Sequence, residues 1–411
     1  MRRVVITGLG VIAPNGNNTK DFWQNIIAGK SGAKKVHSFD TSNFYCQVAA
    51  EILDFDPSKY LTPKKIKRMD RFVQFAVVSA FMALEDSGFK ITPENAERVG
   101  VLVGSGIGGL SIIEQQHAEY MRKGPGGVSP FLIPMLIVNM APGMISIETG
   151  AKGPNSCVAT ACATSTHAVG EAFRLIQLGD ADAMFAGGTE SCITPLGFGG
   201  FDSMKALTRR SVNSPEEASC PFDKRRDGFV MAEGCGILFL EEYECAKKRN
   251  APIYAEIVGY GMSGDAYHMT APSPDGEGAA RCMRNTLKSA QMSIDQVDYI
   301  NAHGTSTPMN DKFETLAIKN VFGEYAKKIP VSSTKSMTGH SLGAAGGIEA
   351  AICALTIRDG IIPPTINYQE PDPECDLDYV PNEARTQKVK SALSNSLGFG
   401  GHNSSILMRQ V

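Results

Sequence analysis

The sequence lacks three features that would each point to a different class of protein. Its 40 basic and 43 acidic side chains leave a formal net charge of −3, and a chain without a strong basic field is not expected to bind nucleic acid. No apolar run approaches the length of a membrane span. The cysteines include no Cys-x-x-Cys pair, and the spacing of Cys157 and Cys162 does not suit zinc. We therefore expect no nucleic acid, membrane or metal partner.

The features that are present fit a globular enzyme. Apolar residues make up 43% of the 411-residue chain and charged residues 20%, which is enough for a large core in two domains or one double-sized domain. Ten cysteines scattered along a long chain favour reduced thiols in a cytosol-like compartment. Residues 1–8 lead almost directly into a strand-like segment, so we expect no signal or transit peptide and a cytoplasmic location.

Segments typical of strands and helices alternate along the whole chain. This alternation predicts an α/β fold whose sheets are covered by helices on both faces. The clearest predicted strands span 3–8, 98–104, 183–186, 297–302 and 330–333, and the clearest predicted helices span 22–28, 71–87, 163–178, 277–289 and 343–358.

The two halves of the chain have similar patterns. Three kinds of segment occur once in each half, at 3–10 and 255–261, at 99–109 and 297–307, and at 161–173 and 338–352. Together they predict a duplicated α/β unit, with a first half over 1–250 and a second over 251–411. Residues 190–230, rich in glycine, serine, proline and charge, are expected to form an insertion or cap in the first half.

Cys162 lies where a short apolar segment, 156–160, meets the small-residue helix predicted over 163–178. We interpret the apolar segment as a buried strand and Gly179 as the residue that ends the helix. A thiol at this junction faces the positive end of the helix, whose free N–H groups favour the thiolate. The segment predicts a nucleophile. A buried, inert cysteine is the alternative.

Two histidines follow predicted strands in the second half. His303 comes after the strand-like segment 297–300, at the kind of position that points into the ligand crevice of an α/β sheet. His340 shares a loop with Lys335, and the following helix carries Glu349, a candidate partner for a buried lysine. These histidines and the thiol could converge at the centre of a duplicated fold. A loop histidine with a purely structural role remains the alternative.

Two glycine motifs suggest other functions. Gly104–Gly109 matches the dinucleotide pattern G-x-G-x-x-G, but the acidic residue that should end a second strand is missing. Gly339–Gly343 matches the hydrolase pattern G-x-S-x-G around Ser341, with acidic residues and His402 later in the chain. The strand before it ends near Ser333, too early for a hydrolase elbow. A serine hydrolase is therefore the weaker hypothesis.

Four motifs together resemble those of the β-ketoacyl-acyl carrier protein synthases, the condensing enzymes of fatty acid synthesis, and among them the elongating synthase II type. The motifs are Thr160–Ser165, Asn301–Thr307, Lys335–His340 and Asn395–Asn403, in that order. The resemblance covers essentially the whole chain. It implies a thiolase-like fold, in which two similar α/β halves form five layers, α-β-α-β-α, usually in a homodimer.

Single positions narrow the type within this resemblance. His340 stands where the initiating synthase III pattern has asparagine, and the loop 398–403 lacks the second cysteine of thiolases. Ile107 stands at a position where the chain resembles synthase II, whereas synthase I tends to carry glycine at that position. Cys162 separates the chain from non-catalytic chain-length subunits. A polyketide-type ketosynthase and a chain-length scaffold without turnover remain alternatives.

The resemblance implies a decarboxylative Claisen condensation in two half-reactions. Cys162 would take the acyl chain, with the N–H groups of Cys162 and Phe399 around the oxyanion. His303 and His340 would then stabilise the enolate formed from malonyl-acyl carrier protein, and Lys335, paired with Glu349, would orient His303. The substrates arrive on the phosphopantetheine of acyl carrier protein, so we expect no separate cofactor.

The resemblance also assigns residues to substrate binding and to carrier docking. Thr305, Thr307, Thr270 and the neighbouring His268 would hold the phosphopantetheine arm, and Phe399, followed by Gly400, would form a gate. The acyl pocket would use Ile107, Phe201 and the partner subunit's Phe131, for which ordinary core packing is the alternative. The acidic carrier protein would dock on the basic residues Lys64, Lys65, Lys67, Arg68, Arg122, Lys123, Lys205 and Arg209. A solvated helix face is the alternative for this set.

Overall fold

The computed structural model describes residues 1–210 and 212–411. The strands are β1 Val4–Ile12, β2 Lys34–Lys35, β3 Val48–Ala50, β4 Val99–Gly104, β5 Asn155–Ser156, β6 Ala183–Glu190, β7 Met231–Ala232, β8 Gly234–Glu242, β9 Ala255–Gly264, β10 Tyr299–Asn301, β11 Val331–Ser332, β12 Ile361–Ile362, β13 Arg385–Thr386, β14 Ser391–Gly398 and β15 His402–Arg409. The α-helices are α1 Thr19–Ile27, α2 Pro63–Ile66, α3 Arg71–Ser87, α4 Leu110–Lys123, α5 Leu132–Leu136, α6 Met140–Thr149, α7 Thr164–Leu178, α8 Pro195–Ser203, α9 Tyr243–Lys248, α10 Glu277–Ala290, α11 Pro308–Phe322, α12 Lys335–Thr338 and α13 Ala345–Asp359.

The main sheet has the order β11-β10-β14-β15-β9-β1-β8-β6-β4-β5. Its first five strands come from the second half of the chain and its last five from the first half. If the five strands that each half contributes to this sheet are numbered in chain order, both halves have the strand order 3-2-4-5-1 from the outer edge to the centre. The two central strands, β9 and β1, pair antiparallel through Val4–Ile6 and join the halves. The predicted duplication is therefore visible in the strand order.

Helices fill the space on both faces of these strands. Helix α3 packs on β1 and β8 in the first half, α10 packs on β9 and β15 in the second, and α7 and α13 lie together between the halves. Every residue of α13 from Ala345 to Ile357 is buried, as expected for a helix whose small and apolar residues face sheets on all sides. The five-layer α-β-α-β-α fold is confirmed. No helix among the described residues is both long and apolar enough to cross a membrane.

The two central helices begin in the same way. A short 3₁₀ turn, Ala161–Ala163, precedes α7, and a second, Leu342–Ala344, precedes α13. The first residue of each turn has a positive φ, 49° for Ala161 and 46° for Leu342. The two turns meet at the middle of the molecule, where the Ser165 hydroxyl donates to the carbonyl of Gly343. Duplication thus places one loop from each half at one point.

One predicted element is wrong. The buried strand expected over 156–160 is only the two-residue β5, which is exposed at the outer edge of the sheet, and residues 157–160 form no regular structure. The chain leaves the sheet early because it must cross to the centre, where Cys162 lies.

The division of the chain at residue 250 stays a prediction. The cap expected over 190–230 contains α8 and packs with residues 33–50 in one apolar cluster.

Candidate active site

A cavity of about 420 Å³ opens near the junction of the two halves. Cys162, His303 and His340 all lie on its wall, although they come from distant parts of the chain. Each of these side chains is at least nine-tenths buried. The other predicted site residues on this wall are Phe201, Lys205, Thr270, Thr305, Thr307 and Phe399. The sequence-predicted nucleophile and histidines therefore converge.

Cys162 occupies the middle of the first 3₁₀ turn, against the β14–β15 hairpin. A Cβ atom added to Gly398 would lie 2.9 Å from the carbonyl oxygen of Thr160 and 3.2 Å from the backbone nitrogen of Cys162. Only glycine allows the hairpin to approach the nucleophile this closely. This approach also brings the backbone N–H of Phe399 towards the sulfur, where it favours the thiolate.

The electrostatics of the thiol differ from the expectation. Burial raises the pKa of the Cys162 thiol to about 12, and the Lys335 charge and the Phe399 N–H group oppose this rise only in part. Burial thus opposes the thiolate that the helix N-terminus is predicted to favour. Desolvation of the charged form outweighs the helix terminus, whose partial charge is small.

His340 and His303 are a neutral imidazole pair beside the thiol. The Nε2 atom of His340 lies 3.1 Å from the Cys162 sulfur, and the two rings meet edge to face with centroids 5.2 Å apart. Burial, reinforced by the Lys335 charge, holds the pKa of each imidazole well below its usual value. Each ring is therefore neutral near pH 7 and can donate one N–H hydrogen bond.

Lys335 and Glu349 form the predicted ion pair, and both side chains are buried. Burial raises the pKa of Glu349 to about 7, although the pairing with Lys335 opposes the rise. Within the described residues no hydrogen bond joins Lys335 to His303. The lysine affects His303 through its charge, which makes a second positive charge on the imidazole unfavourable.

Two buried glutamates that the sequence reasoning missed hold the active-site loops. Glu314, on α11, accepts the backbone N–H groups of His303 and Gly304, each at 2.8 Å, and burial raises its pKa to about 7. Glu190, at the end of β6, accepts the N–H groups of Gly106 at 2.8 Å and of Gly343 at 3.0 Å. The glycine-rich loop thus receives a carboxylate from this chain, which disfavours the dinucleotide interpretation.

His167 is a third missed residue. It lies on α7 one turn after the nucleophile, and its Nδ1 atom is 2.9 Å from the Thr160 hydroxyl and 3.1 Å from the Ala163 carbonyl oxygen. These two partners lie on either side of Cys162. The imidazole therefore ties the ends of the nucleophile turn together, and its edge contacts the ring of His402 with centroids 6.5 Å apart. In the sequence, the only signal for this role was that His167 would lie on the face of the predicted helix that faces a polar residue of the nucleophile turn.

The hydrolase hypothesis finds no support in the arrangement of its residues. Ser341 is buried and does not line the cavity. Within the described residues no hydrogen bond joins Ser341 to a histidine, and the ring of His402 lies against His167. The G-x-S-x-G pattern belongs to the loop that enters α13.

The residues predicted to hold phosphopantetheine separate into two groups. The hydroxyls of Thr305 and Thr307 lie 2.9 Å apart on the cavity wall, where Thr270 joins them. His268 is exposed and off this wall, and its Nδ1 accepts the backbone N–H of Thr270 at 3.1 Å. Gly400 is also off the wall, at φ 81°, and donates its N–H to the Met269 carbonyl at 2.8 Å. These two residues shape the loops that border the cavity.

The predicted acyl-pocket residues are likewise divided. Phe201 lies on the wall and its ring is 6.4 Å from that of Phe399. Ile107 is off the wall but packs against the apolar cluster that contains Cys162. Phe131 does not line the cavity of its own chain, and the guanidinium of Arg68 lies 4.7 Å from its ring centre. Its contribution from a partner subunit stays a prediction.

Several predicted docking residues already have partners. Lys65 pairs with Glu148 at 2.6 Å, and Arg122 and Lys123 both pair with Glu119. The guanidinium of Arg209 lies over the Tyr45 ring. Residues without an ion pair, among those that the structure describes, are Lys64, Lys67, Arg68, Lys205 and Arg209. Lys205 is the one of the predicted set that also lines the cavity.

Two family models match the chain in succession. The model described as "Beta-ketoacyl synthase, N-terminal domain" matches residues 1–246, and "Beta-ketoacyl synthase, C-terminal domain" matches residues 254–369. Together they cover well over half of the sequence. The protein belongs to the β-ketoacyl synthase family, which confirms the resemblance of its four motifs.

Curated relatives define the type within the family. The chain is 56% identical over 410 residues to "3-oxoacyl-[acyl-carrier-protein] synthase 2" of Coxiella burnetii (strain RSA 493 / Nine Mile phase I), a match that covers 100% of this chain and 99% of the relative. It is 53% identical over 409 residues to the protein of the same name from Synechocystis sp. (strain ATCC 27184 / PCC 6803 / Kazusa), with coverage of 100% and 98%.

Solved structures share the fold over the full chain. A "Beta-ketoacyl synthase from Burkholderia phymatum STM815" superposes with a TM-score of 0.93 at 34% identity, covering 100% of each chain. A second match, with a TM-score of 0.92 at 41% identity and coverage of 100% and 99%, is described as "AntDE:AntF (apo): type II PKS acyl-carrier protein in complex with its ketosynthase bound to the hexaketide". The thiolase-like fold class is confirmed.

The role of His167 can be tested with substitutions that remove its Nδ1 atom or place an amide at a different distance from the backbone. His167→Leu removes the tie across the nucleophile turn, and we expect acylation of Cys162 to slow about tenfold because the sulfur loses its alignment. His167→Asn places an amide near the position of Nδ1 and should restore most of the rate, whereas His167→Gln, with a longer side chain, should not. The measurement is the single-turnover rate of acyl-enzyme formation by intact mass.

The free energy of unfolding of each variant provides the control. If the acylation rate follows stability alone, or if all three variants react equally fast, His167 does not position the nucleophile.

Proposed function

We propose that this protein is an acyltransferase of fatty acid elongation that condenses an acyl group on Cys162 with malonyl-acyl carrier protein. The products are β-ketoacyl-acyl carrier protein and CO2. The observation that carries the proposal is the contact of the Cys162 sulfur with His340 beside His303, on the wall of a cavity, in a chain 56% identical to a 3-oxoacyl-[acyl-carrier-protein] synthase 2.

In the first half-reaction the thiol is activated by its neighbour. As the sulfur attacks the thioester carbon, its proton passes to the departing carrier sulfur, and the Nε2–H group of His340 donates a hydrogen bond that stabilises the charge developing on the Cys162 sulfur. The N–H groups of Cys162 and Phe399 hold the oxyanion that forms. Loss of one such donor costs about 3 kcal/mol. The carrier thiol then leaves with the proton, and the acyl chain stays on Cys162.

In the second half-reaction the malonyl group supplies its own electron pair. The bond to the carboxylate carbon breaks, CO2 leaves, and the two electrons form an enolate whose oxygen accepts N–H donors from His303 and His340. Because this charge exists only after decarboxylation, stabilising it lowers the barrier without tightening substrate binding. The enolate carbon then attacks the acyl-Cys162 carbonyl and expels the sulfur. The electrons come from the substrate, so the reaction needs no resident cofactor.

The carrier arm enters along the polar side of the cavity. Thr305, Thr307 and Thr270 offer hydroxyls to the amides of phosphopantetheine. Lys205, on the same wall and without an ion pair among the described residues, can meet the acidic carrier protein at the cavity entrance. A structure matched at 41% identity is described as a ketosynthase in complex with an acyl-carrier protein, which supports acyl carrier protein as the partner.

The alternatives have weaker support. The polyketide ketosynthase structure is 41% identical, below the 56% of the first synthase 2 relative. A chain-length scaffold without turnover would not need the contact of a thiol with a neutral imidazole. The serine hydrolase would need Ser341 on the cavity wall, where it does not lie.

We also propose a homodimer in the cytoplasm. The strand β5 at the outer edge of the main sheet is exposed and has one neighbour, β4, so its other edge can pair with a second chain. The region of α5 and α6 also exposes three apolar side chains, which are Ile133 in α5, Ile137 directly after α5 and Ile147 in α6. In light scattering, a dimer mass that Ile147→Lys shifts towards the monomer would support this interface. A monomer mass for the unchanged protein would contradict it.

The proposed location in the cytoplasm is supported by the cysteines. All ten are free thiols, as in a reducing compartment.

The identity of the nucleophile is the first test. Cys162→Ala should abolish formation of the acyl-enzyme, because Cys162 is the one thiol among the described residues of the cavity wall. Ser341→Ala should keep acylation within about twofold of the original, since that hydroxyl lies off the wall. Intact-mass analysis after mixing with an acyl-carrier substrate, followed by mapping of the acylated residue, measures both. Acylation that survives in Cys162→Ala and disappears in Ser341→Ala would support a hydrolase.

The two histidines should separate the half-reactions. His303→Ala should lower CO2 release from malonyl-acyl carrier protein about 100-fold, because one enolate donor is lost, and should change acylation much less. His340→Ala should slow both steps, because its ring contacts the sulfur. CO2 release and single-turnover acylation are measured on the same preparations. An equal loss of both activities in His303→Ala would contradict its assignment to the second step.

Charge reversal tests the docking of the carrier protein. Lys205→Glu should raise the KM for carrier-bound substrates about 3- to 10-fold at low salt, because it repels an acidic partner at the cavity entrance. Lys388→Glu is the matched control, since Lys388 is exposed and lies outside the predicted docking set. Steady-state kinetics at two salt concentrations measure the effect. An unchanged KM in Lys205→Glu would move the docking surface elsewhere.

A further inference from the structure

The nucleophile and the two histidines have a second chemical property. One ligand atom from each of Cys162, His303 and His340 lies within 4.8 Å of the others. Within residues 1–210 and 212–411 no other group of three histidine, cysteine or acidic side chains comes together in this way. The set of one sulfur and two imidazole nitrogens is typical of sites that bind Zn²⁺.

We propose that Cys162, His303 and His340 form an inhibitory binding site for a divalent cation of the zinc type. The ion would take three protein ligands and keep its fourth position towards the cavity, as in open zinc sites. On binding, the Cys162 sulfur gives up its proton to solvent and becomes a thiolate ligand. The occupied sulfur can no longer attack a thioester. The inhibition rests on the proposed function, whereas the binding does not.

The geometry needs only a small adjustment. With bonds of about 2.3 Å to sulfur and about 2.0 Å to nitrogen, the ligand atoms of a tetrahedral site lie roughly 3.3 to 3.6 Å apart. The His340 nitrogen is 3.1 Å from the sulfur, and no pair of the ligand atoms is more than 4.8 Å apart. Movements of about 1 Å, within the reach of small side-chain rotations, would complete the site.

The surroundings weaken binding in three respects. Burial disfavours the thiolate that the ion requires of Cys162. The nearby Lys335 charge opposes a second cation, although Glu349 pairs with it. The Nδ1 atoms of His303 and His340 have no hydrogen-bond partner among the described residues. Zinc sites normally provide such a partner, and its loss costs about 10- to 100-fold in affinity. We therefore expect reversible binding, weaker than that of a structural zinc site.

This site was absent from the sequence expectation for a physical reason. Zinc motifs are recognised from ligands a few residues apart, whereas these three lie at positions 162, 303 and 340 and meet only through the duplicated fold. The same convergence makes acylation and metal binding exclusive. A thioester sulfur has no anionic form to offer, so the acyl-enzyme should not bind the ion.

Cobalt(II) gives a direct readout of binding without any substrate. It takes zinc-like sites and produces a near-ultraviolet absorption band when a thiolate is a ligand. The protein for this experiment carries Cys157→Ser and Cys245→Ser, because among the described residues those two thiols are the ones that are not buried. One equivalent of Co²⁺ should give the band, and Zn²⁺ should displace it. Adding Cys162→Ala should abolish the band, and adding His303→Ala or His340→Ala should each weaken binding at least tenfold.

Matched controls separate this site from adventitious binding. His37→Ala and His117→Ala remove exposed histidines outside the cluster and should leave Co²⁺ binding unchanged. A band that persists in Cys162→Ala, or an affinity insensitive to both His303→Ala and His340→Ala, would overturn the proposal. Circular dichroism of each variant shows whether it remains folded.

The inhibition has its own measurement. Zn²⁺ should slow single-turnover acylation at the concentrations at which it displaces Co²⁺, and a chelator should restore the rate. Protein acylated beforehand on Cys162 should give no Co²⁺ band. If the band forms but acyl transfer never occurs without metal, the proposed function fails and the metal site stands. If acyl transfer occurs and no band forms, the metal site fails alone.

Discussion

The burial of the cluster of Cys162, His303 and His340 determines most of the chemistry of this protein. Burial opposes charge on all three groups, so the thiol keeps its proton and both imidazoles stay neutral. The His340 nitrogen that contacts the sulfur can then donate its N–H to the charge that develops there during acylation. The same burial leaves two N–H donors for a charge that forms later in the reaction. A more solvated site would lose this arrangement.

The charged side chains in this region are held in place by ion pairs or hydrogen bonds. Lys335 and Glu349 form a buried pair next to the imidazoles, and the lysine charge adds to the effect of burial, which lowers the pKa of both imidazoles. Glu314 and Glu190 bind backbone N–H groups of the loops that carry His303 and Gly343. Removing one of these carboxylates would leave buried N–H groups without partners, which is unfavourable. The loops are therefore held by carboxylates that do not themselves line the cavity.

The duplicated topology explains why the site lies between the halves. Both halves use the strand order 3-2-4-5-1, and each starts its central helix with a 3₁₀ turn whose first residue has a positive φ. In the first half this turn carries Cys162, and in the second it carries Gly343, which lies next to the first turn. The second half adds the histidines on loops after β10 and after β11. One fold used twice thus supplies different parts of one site.

The sequence by itself predicted the alternation of strands and helices, the duplication and a site with Cys162, His303 and His340, and its four motifs resembled those of the family. The alternation follows from local patterns, in which side-chain type and spacing are read within a few residues, and Glu349 was a candidate partner for Lys335. Only the tertiary structure decided the protonation of the cluster, the short exposed β5 in place of a buried strand, and the roles of Glu190, Glu314 and His167. Desolvation depends on atoms from the whole chain, and the sulfur and the His340 nitrogen are 178 residues apart in sequence. No local pattern records a contact or a loss of water that the packing of distant segments creates.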